Sequence, residues 1–252
     1  VVLSRGLGDV YKRQALMRTV KQVLAELESL GSEQTRKTYR RHGAPEPMFG
    51  VKVGDLKSLA KSIKGQQQLA LDLYETQNID AMYLAGIIAD GSRMTRTQLN
   101  RWAKTASWHM VAEYSVPGVA AENMHALALA NKWVNSRNES IASTGWCTYS
   151  AIFATWEDDQ IDFDEVSALM KHIVVAIPTA PNRVRYTMNN FVISVGTYIR
   201  PLLSQAKKTA RQLGKLHVNM GDNACKVPVA SDYIAKVESM NRVGKKRKTA
   251  KC

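Results

Sequence analysis

ALMRTVKQVLAELESLG, residues 15–31, decides how the rest of the chain is read. Leu16, Val20, Val23, Leu24, Leu27 and Leu30 recur at helical spacing, and Gly31 supplies a stop, so the stretch reads as an amphipathic helix. The same pattern returns throughout. A second, basic helix is expected from Ser32 through TRKTYRRHG, then a loop over Ala44–Gly54, where prolines and glycines gather. Helices follow over Val53–Ile63, Leu69–Tyr74 and Ile79–Ala89, the last capped by Asn78. Thr95 and Gln98 read as a capping box opening TRTQLNRWAKTA. Further helices are expected over Gly118–Val134, Glu139–Phe153, Phe163–Val175, Pro181–Ile199, Pro201–Leu213 and Asp232–Met240. No stretch alternates with period two, so the predicted fold is all-α. The helices pair at roughly 40 residues, the spacing of HEAT-like repeats, which stack into a solenoid with a concave, here basic, face.

Charge adds a second layer. The chain has 252 residues, 45% of them hydrophobic, and a net charge of +13. Such an excess favours polyanions. It is unevenly spread: Glu157–Glu165 holds six acids in nine residues, whereas 166–221 holds eight basic residues and no acid. No apolar run is long enough to cross a membrane as a helix, and no membrane partner is expected. Cys147, Cys225 and Cys252 are scattered without a CxxC pair, which fits a reducing cytoplasm and argues against a disulfide framework or a zinc ribbon. Residues 1–14 resemble translated sequencing-adapter read-through, so the native start is expected either to be missing or to lie close to Ala15. One helical domain is expected over 15–241, followed by a basic, flexible tail over 242–252.

The stretch 102–122 concentrates chemistry. His109 and Glu113 lie four apart, on one helical face, with Trp108 beside them. Aromatic surface next to a carboxylate suits a flat cation such as an alkylated base. Arg183, Arg185, Asn189 and Asn190 surround Phe191 on one expected helix, a composition suited to phosphate and sugar contacts. Lys207, Lys208 and Arg211, with Lys245, Lys246, Arg247 and Lys248 in the tail, extend the set of candidate DNA contacts.

From about residue 36 onward the chain resembles the DNA alkylation repair family, the HEAT-like-repeat DNA glycosylases. The resemblance is carried by FGVKVGDLKSLAKSIK, LALDLYETQNIDAMYLAGIIAD, SWHMVAEYSVPGVAAEN and APNRVRYTMNNFVISVGTYIRPL, with DNACKVPVASDYIAKVE and VGKKRKTAKC at the end. It implies a monomeric, cofactor-free protein that binds duplex DNA carrying alkylated or distorted sites. It also implies hydrolysis of the N-glycosidic bond of cationic purines such as 3-methyladenine and 7-methylguanine. There a carboxylate steadies the oxocarbenium-like sugar while aromatic faces hold sugar and base. Residue by residue, the family's catalytic tryptophan falls on His109, its aspartate on Glu113 and its second tryptophan on Phe191. All three differ from the family pattern.

Each residue keeps an alternative. Glu113 also reads as a solvated helix residue, and His109 as a structural histidine against Glu113. Arg183 and Arg185 also read as arginines paired with a nearby acid, and the lysines as a solvated face. Glu122 and His125 lack metal-ligand spacing. For the whole chain, a non-catalytic binder of branched or distorted DNA and a protein-interaction scaffold stand beside the glycosylase.

Overall fold

The computed structural model describes residues 17–251, so the leader reading for 1–14, Leu16 and Cys252 lie outside the described residues. Among the described residues there are thirteen α-helices and no strand, as the absence of period-two patterning predicts. They are α1 (Val20–Leu30), α2 (Glu33–Arg41), α3 (Val53–Ser62), α4 (Gln67–Glu75), α5 (Ile79–Ile88), α6 (Arg96–Thr105) and α7 (Val116–Ala120). Then come α8 (Ala126–Val134), α9 (Glu139–Thr155), α10 (Phe163–Ala176), α11 (Asn182–Tyr198), α12 (Leu203–Leu213) and α13 (Ala230–Ser239). Among the described residues, the stretch read as one helical domain packs as two compact units: 17–39 with Glu46–Ala89, and Arg40–Pro45 with 90–251.

In the first unit, Val23 and Leu27 of α1 are fully buried, as their spacing implies. The loop before α3 is clamped by Asp80, whose carboxylate accepts from the backbone N–H groups of Phe49 (2.6 Å), Gly50 (3.0 Å) and Val51 (2.8 Å). Three backbone donors on one buried carboxylate satisfy groups that would otherwise be orphaned. Gly50 sits in that loop at φ +78°, where a side chain would meet the Ser32 carbonyl and the Arg36 backbone. Asn78 caps α5 by accepting from the N–H groups of Asp80 and Ala81.

The second unit is built around α9 and α11, two 17-residue helices packed along each other. Trp146, Tyr149 and Phe153 of α9 and Phe191 of α11 form its aromatic centre. Phe191 meets Trp146, Phe153 and Tyr149 edge to face at 5.1, 5.2 and 5.8 Å. Each such pair adds about 1 kcal/mol beyond burial. Trp102 and Trp133 are buried as well. Thr95 and Gln98 close the expected capping box on α6.

The helix expected over Gly118–Val134 is instead two. A π turn over Val111–Ser115 runs into α7, the chain breaks at Ala121–His125, and α8 follows. The break is tethered by Asn123, whose Nδ2 donates to the carbonyls of Gly91 (2.7 Å) and Met94 (2.8 Å). A side chain that satisfies two distant carbonyls competes with helix continuation.

Candidate functional site

The π turn carries Glu113. A π turn widens the backbone locally and re-aims the side chains on it, and here the Glu113 carboxylate meets α11. Its Oε1 accepts from Arg183 Nε at 2.8 Å and its Oε2 from Arg183 Nη2 at 2.5 Å, a bidentate pair. The Glu113 side chain is 2% exposed and that of Arg183 20%. The guanidinium also lies over the Tyr186 ring at 4.4 Å. Arg183 is placed for this by the start of α11, where its backbone N–H donates to Glu139 Oε1 at 2.5 Å. Burial pushes the Glu113 carboxyl up and the Glu139 charge adds to this, while hydrogen bonding and charge from Arg183 pull it back; the net direction is up. Burial opposes the Arg183 charge, but Glu113 holds it above its ordinary value.

His109 does not donate to Glu113. It is half-buried, with the Trp108 ring at 5.5 Å edge on. Burial, then the charges of Arg183 and His42, lower it to about 4, so its imidazole is neutral at pH 7. Trp108 is 5% exposed. Its indole N–H donates to the His42 carbonyl at 2.9 Å, which fixes the ring in the packing.

Phe191 corrects the expectation of a base-stacking wall. It is 0% exposed, at the centre of the aromatic core, and a ring with no free face cannot stack on a base. Asn189 is buried and donates to the Pro228 carbonyl at 2.9 Å, so it holds the α13 approach rather than a sugar. Arg183, expected on phosphate, is committed to Glu113. Arg185 is half-buried. Asn190 lines a cavity of about 170 Å³ with Glu113, Tyr114, Cys147, Tyr198 and Arg247. That is below the roughly 300 Å³ at which small-molecule sites begin. Burial raises the Cys147 thiol well above its ordinary value, so it stays protonated.

The basic candidates divide. Lys207 pairs with Glu238 at 2.7 Å, whereas Lys208 and Arg211 are exposed. The basic tail, expected to be flexible, is laid back over the second unit. Lys246 reaches Asp158 at 2.7 Å and the Phe153 carbonyl at 3.1 Å, at the C-terminal end of α9. The Arg247 N–H donates to the Ala154 carbonyl, and Lys251 pairs with Glu122 at 2.7 Å. Cations at a helix C-terminus meet unpaired carbonyls and the negative end of the dipole. The side chains of Lys245, Arg247 and Lys248 are exposed. Among the described residues no group of three or more His, Cys, Asp or Glu side chains has metal-binding geometry. No described helix is long and apolar enough to cross a membrane.

Residues 23–213 match the family of DNA alkylation repair enzymes. An uncharacterised protein of Listeria innocua is 33% identical over 90% of this chain and all of its own length, and one of Listeria monocytogenes is 32% identical over the same shares. A solved structure aligns at TM-score 0.85 and 36% identity, covering 92% of this chain and 98% of its own. It belongs to a family related to the HEAT-like repeat DNA glycosylases with affinity for branched DNA structures. The all-α fold is therefore of the HEAT-like glycosylase type.

Proposed function

This chain belongs to the DNA alkylation repair enzyme family, and from that premise we propose that it binds branched or distorted DNA without excising bases. The observation that carries the reading is the Glu113–Arg183 pair. Stabilising an oxocarbenium sugar requires an anion aimed at the place where charge develops. The Glu113 charge is already met by a guanidinium, and its oxygens are almost wholly covered. The aromatic wall that would hold a flipped base is reduced by the burial of Phe191. What supports binding is the net charge of +13 together with exposed Lys208, Arg211, Lys245, Arg247 and Lys248.

The relative with affinity for branched DNA supports the choice of branched over plain duplex. A second reading, hydrolysis of a cationic alkylated purine, keeps support from the family and from the retained carboxylate. It requires Arg183 to leave Glu113 when DNA binds.

The test is a titration of a four-way junction and of a duplex with the same arm sequence, each at several salt concentrations. The junction should bind more tightly by about tenfold or more, a difference of about 1.4 kcal/mol. Log affinity should fall linearly with log salt. Equal affinity for the two, or binding to neither, contradicts the reading.

A further inference from the structure

After α13 the chain reverses in a built turn rather than trailing off. Asn241 and Gly244 take positive φ, of 52° and 78°. The Gly244 N–H donates to the Thr197 carbonyl at 2.8 Å, and Arg200 Nη2 donates to the Val243 carbonyl at 2.7 Å. Val243 is buried. The turn therefore fixes the basic residues around it against the end of α11.

Between this turn, α13 and the end of α11 lies a cleft of about 590 Å³. Its lining includes Lys236, Arg242, Lys245, Lys246 and Arg247, and no carboxylate. Two acids of the surrounding elements are engaged, Glu238 with Lys207 and Asp158 with Lys246, and Asp232 of α13 is not part of the lining. Lys236, Arg242, Lys245 and Arg247 are exposed, and their side chains meet no carboxylate among the described residues. Gathering four uncompensated cations around one concavity is unfavourable by itself and focuses a positive field into it. An anion relieves both effects. Tyr198 and Tyr233 share the lining, and Tyr233 is 48% exposed. Cations that follow a phosphate chain beside an open aromatic face form a platform for unpaired nucleotides. A cleft of this volume admits a nucleotide or two rather than a double helix.

We propose that this cleft holds an unpaired strand of the bound DNA, with phosphates on Lys236, Arg242, Lys245 and Arg247 and a base against Tyr233. The proposal rests on the DNA-binding reading above and names where a branch point would be gripped. It separates the four cations of the cleft from the other basic residues of the chain.

The test uses the full chain, an oligothymidylate probe and the four-way junction. The variant K236Q/R242Q/K245Q/R247Q removes the cleft cations, and Y233A removes the aromatic face. K52Q/K57Q/K61Q/K64Q removes four exposed lysines of the first unit, the same charge change elsewhere. With the cleft variant, the slope of log affinity against log salt for oligothymidylate should flatten by about 3, at about 0.7 per lost phosphate contact. Y233A should weaken oligothymidylate binding by about tenfold. The lysine control should bind it as the unaltered protein does. Junction binding without oligothymidylate binding, an unchanged slope in the cleft variant, or an equal loss in the lysine control each overturns the cleft assignment while leaving the DNA-binding reading in place. Failure of the unaltered protein to bind any DNA overturns both.

Discussion

Replacing Arg183 by leucine removes the guanidinium that meets both oxygens of Glu113 and leaves a carboxylate with 2% exposure. Removing one partner of a buried pair costs about 3–5 kcal/mol, because the remaining charge is uncompensated. Arg183 is 20% exposed, so water can reach part of the vacated site and the lower end applies, about 3 kcal/mol. For a chain of this size each kcal/mol moves Tm by about 2–4 °C, so a fall of about 6–12 °C is expected. The effect has a pH signature. Burial already raises the Glu113 carboxyl, and loss of Arg183 raises it further. The folded variant then keeps a proton that the unfolded chain releases near 4.5, its ordinary value. Stability is thus fully present below the unfolded value and falls as pH rises toward the folded one. The deficit should be small near pH 4.5 and grow as pH rises above it. Glu113→Leu combined with Arg183→Leu should recover most of it, since an apolar pair of similar volume replaces a buried ion pair at little cost. Thermal melts followed by circular dichroism at several pH values read all three quantities. A deficit under about 1 kcal/mol, a deficit independent of pH, or a double variant no better than the single one would refute the argument.

Three further outcomes follow from the same geometry. His109, lowered to about 4, stays neutral in the folded protein while the unfolded chain gains a proton near 6.5, so stability falls as pH drops through that window. The full span amounts to about 3 kcal/mol, and His109→Gln should flatten the slope in urea titrations between pH 4 and 6.5; an unchanged slope would contradict the assignment. Phe191→Ala should cost about 3–5 kcal/mol while leaving the DNA affinity of the folded fraction unchanged, because the ring has no exposed face; lost affinity at full stability would restore a stacking role. Asp80→Ala should destabilise the first unit by about 3 kcal/mol or more, since three buried N–H groups lose their acceptor. Amide exchange at Gly50 and Val51 that stays as slow as in the unaltered protein would contradict it.

Helices were legible where periodicity and caps agreed. Val23 and Leu27 face the core, Asn78 and Thr95 cap where their side chains predict, and the aromatic residues of α9 lie inside. The break at Ala121–His125 was not legible, because it depends on Asn123 reaching carbonyls about thirty residues back. Glu113 stood out in the sequence, yet its partner did not: Arg183 is 70 residues away, and only packing brings α11 onto the π turn. The reading of Arg183 as a residue paired with an acid was open, but the acid was not identifiable. Phe191 announced an aromatic ring without its exposure, since α11 is apolar on more than one face. The tail read as a solvated charge run because its acceptors, Asp158, Glu122 and the carbonyls ending α9, lie far off in sequence.

The proposed function makes Glu113 a structural carboxylate in a DNA binder. The most direct measurement is release of 7-methylguanine from DNA held in stoichiometric complex, under single-turnover conditions, with Glu113→Gln in parallel. Base should appear no faster than from free DNA, for the protein and the variant alike. Release above that background that falls in Glu113→Gln would contradict it, and would return the carboxylate to catalysis.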